Sequence, residues 1–121
     1  MNGSDDITEP GIIEVRHTAD GVEIDLMLPD DLFYFRGHFP GRPILPGVVQ
    51  IDWAVRFADR YLNIGIGSAQ NFQVKFTSII EPEQPVTMVL QRSADGKSVR
   101  FKFQDKSTIL SSGSIRLEAP S

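Results

Sequence analysis
Gly37-His38-Phe39-Pro40-Gly41-Arg42-Pro43-Ile44-Leu45-Pro46-Gly47-Val48-Val49-Gln50-Ile51-Asp52 is the stretch on which the reading of this chain turns. Residues 37 to 47 hold three prolines and three glycines. Proline locks φ and glycine admits angles that other residues avoid, so together they set a stiff loop path. The loop offers a histidine at its start and runs directly into an apolar segment whose second turn carries a carboxylate, Asp52. A base and an acid thus belong to one rigid unit.

The segment after the loop reads as a helix from Val48 to about Leu62, with Pro46-Gly47 at its start and Asn63 and Gly65 at its close. Ile51, Ala54, Val55, Phe57, Ala58, Tyr61 and Leu62 cover more than half of its circumference, as a helix wrapped by a sheet requires. Strand patterns flank it. Ile12 to Thr18 and Val22 to Leu28 precede it, joined by the hairpin turn Asp20-Gly21, and Val22, Ile24, Leu26 and Leu28 alternate with Glu23 and Asp25. Four more strands are expected after it, at Ala69 to Ile79, Val86 to Ser93, Val99 to Gln104 and Thr108 to Glu118, with turns at Ala94-Asp95-Gly96-Lys97 and Asp105-Lys106-Ser107. The order is strand, strand, helix and four strands. Residues 1–10, polar and acidic, read as a flexible leader, and 11–118 as a single domain.

Composition narrows the function. A chain of 121 residues has the length of one domain. A net charge of -4 argues against nucleic acid, whose binders concentrate lysine and arginine. With no cysteine, disulfides, thiolate catalysis and cysteine-based zinc sites are excluded, and two histidines leave few ligands, so no metal is expected. No apolar run approaches the ~20 residues that cross a bilayer, and no signal peptide opens the chain, which makes the cytoplasm the expected compartment.

At the level of motif, Gly37-His38-Phe39-Pro40-Gly41, Pro43, Pro46-Gly47 and Asp52 resemble the hot-dog-fold 3-hydroxyacyl-acyl-carrier-protein dehydratases. Val74-Lys75-Phe76 followed by Ile80-Glu81-Pro82 resembles that family's strand after the helix. The resemblance implies an α+β hot-dog fold, an antiparallel sheet wrapped around one long central helix. It also implies a homodimer or higher oligomer with the active site in a tunnel between subunits, the histidine from one and the acid from the other. Carried over by position, His38 is the general base at C2 of the substrate, Asp52 the general acid at the C3 hydroxyl, and Gly47 the backbone donor to the thioester carbonyl. The substrate is a 3-hydroxyacyl chain on the 4'-phosphopantetheine arm of acyl carrier protein, and no cofactor is needed. Aspartate at the acid position is the form found in the branch that also isomerises the double bond. Short members of this kind occur in aryl-polyene and related pigment or lipid pathways as well as in fatty-acid synthesis.

Other readings stand beside these. Asp52 shares a helical stripe with Arg56, Asp59 and Asn63 and by pattern alone is a solvated acid paired with Arg56. His17 reads as structural. Phe33, Tyr34, Phe35, Phe72 and Phe76 read one at a time as core, with some of them expected to line an acyl tunnel in a hot-dog fold. Arg36, Arg42 and Arg60 read as ordinary surface cations, with attraction of an acidic carrier protein at a tunnel mouth as the alternative. The competing functions are a hot-dog thioesterase, which would direct water at the carbonyl, and a non-catalytic subunit that binds acyl carrier protein.

Overall fold
The structure, a computed structural model, describes residues 7–35, 43–65, 67 and 69–118. Strands β1 (Gly11–His17) and β2 (Gly21–Met27) lead through a 3-10 turn at Phe33–Phe35 to helix α1 (Gly47–Leu62). Strands β3 (Ala69–Phe76), β4 (Val86–Arg92), β5 (Ser98–Asp105) and β6 (Thr108–Leu117) follow. They form one six-stranded sheet in the order β1-β2-β4-β5-β6-β3, antiparallel throughout. This is the hot-dog fold.

Period-two alternation decides which face meets the helix. Val22, Ile24 and Leu26 of β2, Val86, Met88 and Leu90 of β4, and Val99, Phe101 and Phe103 of β5 are all buried. Their outward neighbours include Asp25, Arg100 and Lys102. From α1 come Val49, Trp53, Ala54, Phe57 and Ala58, and Trp53 and Phe57 are each 1% exposed. Burial of side chains of this size is worth roughly 1.5–3 kcal/mol apiece, so this helix-to-sheet seam is the main source of stability. The Gly21 position needs its glycine, because a Cβ there would overlap the Leu90 carbonyl of β4.

Element boundaries follow local chemistry. Asn63 closes α1 in the left-handed region at φ 56, its N–H donating to Asp59 O. Strand β3 stops at Phe76, three residues short of the expected Ile79. There the backbone turns so that Thr77 and Ser78 both donate to Leu110 O, and Ile80 becomes fully buried. Ahead of β1, residues 7–10 already make specific contacts. Ile7 O accepts from Phe33 N at 2.7 Å, Thr8 O accepts from Trp53 Nε1 at 3.2 Å, and Glu9 lies 3.5 Å from Arg60.

The aromatic residues correct one expectation. Phe35 is buried, but Phe33, Phe72 and Phe76 are 42%, 44% and 48% exposed. The physical reason for Phe72 and Phe76 is that β3 is an edge strand with a single sheet neighbour, while α1 lies over β2 and β4.

Candidate active site
The described part of the motif begins at Pro43. His38 lies outside the described residues, as do Arg36 and Arg42. Pro46 is the N-cap of α1, extended at φ -62 and ψ 147, and no side chain caps the helix. Proline has no side-chain acceptor to offer, so Val49 and Gln50 N–H donate to Pro46 O while Gly47 and Val48 N–H find no acceptor among the described residues. The helix dipole concentrates partial positive charge at that end. An uncapped first turn is therefore a donor site for an oxygen that becomes negative during a reaction.

The turn faces a largely apolar pocket of about 310 Å³ lined by Ile44, Leu45, Gly47, Gln50, Phe76, Thr77, Ser78 and Ile79. Phe76 lies directly on the helix start. A Cβ at position 47 would come within 2.5 Å of its Cζ, so glycine is what lets the ring approach the backbone. Among the aromatic residues of which some were expected to line an acyl tunnel, Phe76 is one that lines this pocket, and its place at the end of the strand after the helix is the signal that marks it.

Asp52 stands elsewhere. Five residues beyond Gly47, it is turned about 140° around the helix and raised by about 7.5 Å, and it does not line the pocket at Gly47. Its carboxylate accepts a hydrogen bond from Arg56 Nε at 2.9 Å, with the two side chains 48% and 55% exposed. That bond holds the Arg56 guanidinium above its ordinary pKa. In this geometry Asp52 is an acceptor from Arg56. Within one chain the structure therefore does not bring Gly47 and Asp52 together. Val48, Asp52 and Arg56 form an outward stripe in which Val48, an apolar residue, is 73% exposed.

Gln50 is the residue that motif reasoning passed over. It is 3% exposed, among the apolar side chains of the helix, and touches both the pocket and the strand behind it. A polar residue in the buried stripe between Val49 and Trp53 was the available signal. Among the described residues no cluster of three or more His, Asp or Glu is arranged to hold a metal, and no helix is long and apolar enough to cross a membrane.

A six-stranded antiparallel sheet around one helix, with an uncapped helix N-terminus open to an apolar pocket, defines a hot-dog protein. Residues 14–114 match the ApeI-like family model, described as ApeI dehydratase, and the chain belongs to this family. Its structure superposes on the dehydratase heterocomplex ApeI:P from Xenorhabdus doucetiae with a TM-score of 0.84 and 30% identity, over 93% of this chain and 100% of that one. It is also 31% identical over 94 residues to the 3-hydroxyacyl-[acyl-carrier-protein] dehydratase FabZ of Rickettsia africae, over 70% of this chain and 62% of the relative. The chain thus spans about three fifths of the length of such curated relatives. Zebra fish thioesterase superfamily member 2 shares the fold, with a TM-score of 0.62 at 10% identity over 88% of this chain and 80% of that one.

Proposed function
We propose that this chain dehydrates a 3-hydroxyacyl thioester carried on the phosphopantetheine arm of acyl carrier protein, giving the trans-2-enoyl thioester in fatty-acid or polyene synthesis in the cytoplasm. The observation that carries the reading is the uncapped α1 N-terminus, with Gly47 N–H at the mouth of an apolar pocket, in a chain of a dehydratase family. Gly47 N–H donates to the thioester oxygen, which gains negative charge as the C2 proton leaves. His38 takes that proton, since imidazole is half-protonated near neutral pH. Asp52 of the partner subunit protonates the C3 hydroxyl, which departs as water. Loss of water is redox-neutral, so the reaction asks for no cofactor.

Sharing the site between two copies is supported by the separation of Gly47 and Asp52 within one chain. It is supported again by the exposed apolar residues on β3 and the first turn of α1. The catalytic unit is 11–118, with 1–10 a leader in which Ile7, Thr8 and Glu9 are tied to α1 and the 3-10 turn. One observation favours a variant of this reading. The similar structure from Xenorhabdus doucetiae is a heterocomplex, so a second, non-identical subunit is the alternative source of the missing acid.

Mass spectrometry of a 3-hydroxyacyl carrier protein incubated with wild type, His38→Ala and Asp52→Asn tests the assignment. Water loss with wild type, reduced by roughly 100-fold or more in each variant, is the expected result. Release of free thiol without an enoyl product would instead establish a thioesterase. Stable binding of the carrier protein with no turnover would establish a binding subunit.

A further inference from the structure
Gln50 and Ser111 are the polar side chains buried within the apolar core among the described residues, at 3% and 0% exposure. A buried amide costs free energy unless it is hydrogen-bonded. Here both ends are used. Ser111 Oγ donates to Gln50 Oε1 at 2.7 Å, and Gln50 Nε2 donates to Leu45 O at 3.3 Å. Leu45 N–H in turn donates to Ile80 O at 2.8 Å, so the peptide groups on both sides of Leu45 are fastened.

These bonds close a ring around the helix start. Leu45 precedes the N-cap, Gly47 opens the helix, and Gln50 follows one turn later. Ser111 is the register partner of Phe76, whose ring rests against Gly47. Leu or Met would fill the Gln50 site but leave the buried Ser111 hydroxyl and the Leu45 carbonyl without these partners, so the amide is tied to polar groups on both sides of it. What the amide adds is a fixed direction for the Leu45–Pro46 peptide and, through it, for the Gly47 N–H.

Resting on the dehydratase reading above, we propose that Gln50 is a positioning residue. It holds the Leu45–Gly47 turn against β6 through Ser111, so that the Gly47 N–H points at the thioester oxygen. Gln50→Leu keeps the volume and removes both hydrogen bonds. Its kcat falls roughly 10- to 100-fold, because small misplacement of a donor is costly, while KM stays within about twofold. Ser111→Ala leaves the Leu45 bond in place and loses less. Gln50→Glu retains an acceptor for Ser111 but donates to Leu45 O only when protonated. Its activity relative to wild type therefore rises as pH falls, a profile that a packing role would not produce.

Amide hydrogen exchange at Leu45, Val49 and Gln50 provides a readout independent of turnover. Faster exchange there in Gln50→Leu, with β4 and β5 unchanged, is expected. A Gln50→Leu variant with wild-type kcat, or a Gln50→Glu variant whose relative activity is flat with pH, overturns the proposal. If wild type dehydrates nothing, the functional reading fails, and exchange then decides the positioning role alone: unchanged protection at Leu45 and Val49 refutes it.

Discussion
At the scale of single residues, Gly47 is where backbone geometry and chemistry coincide. Gly47→Ala must push the Phe76 ring aside by about 1 Å, from a 2.5 Å separation to ordinary van der Waals contact. Because the ring is half exposed, the stability cost stays near the low end of overpacking, about 1 kcal/mol. The pocket wall moves, however, so a larger loss in kcat/KM than in thermal stability is expected, and steady-state kinetics beside a melting curve checks it. Arg56 makes a different prediction. Its bond to Asp52 joins two half-exposed side chains, so Arg56→Gln is expected to change the melting temperature little. A large fall in the melting temperature would contradict an exposed pair of small worth. Gly47 and Asp52 were both legible as members of a spaced motif. Gln50 was marked only as a polar residue in an apolar stripe, because its partner Ser111, 61 residues away, leaves no local pattern.

Elements are tied to one another by polar links on the outer sheet face. Arg16 of β1 grips Asp25 of β2 through two bonds of 2.7 and 2.8 Å, and Thr87 of β4 donates to the same carboxylate at 2.8 Å. The Arg16 hydrogen bonds, then the Thr87 bond, lower the Asp25 pKa from 3.8 to about 2. A carboxylate whose folded pKa is depressed contributes stability that is complete above its unfolded value and is lost as pH falls toward the folded one. Asp25→Asn is therefore expected to melt below wild type at pH 7, with the gap closing as pH drops from about 5 to about 2. An equal gap at both ends would remove the ion pair as the cause. Strand and helix positions were largely readable, since alternation in β2 and β5 and the cap at Asn63 are local signals. The end of β3 was not, because it depends on two amides sharing Leu110 O, a contact with β6.

For the whole molecule, the edge strand sets the behaviour. Among the described residues β3 pairs only with β6, and it carries two half-exposed phenylalanines, of which Phe76 lines the pocket at Gly47, while the acid lies on a different face of α1 from the donor. The sequence left open which of its aromatic residues are core and which line a pocket, because an alternating apolar pattern does not say whether a strand will be central or at an edge. That a single chain holds half a site is the central claim, and mixing variants tests it most directly. His38→Ala and Asp52→Asn, each inactive alone, are co-refolded in equal amounts and assayed for water loss from a 3-hydroxyacyl carrier protein. If the base and the acid come from different copies, half of the dimers are mixed, each with one intact site. About one quarter of wild-type activity then returns. No recovery from mixed dimers whose formation is verified by native mass spectrometry would contradict the shared site.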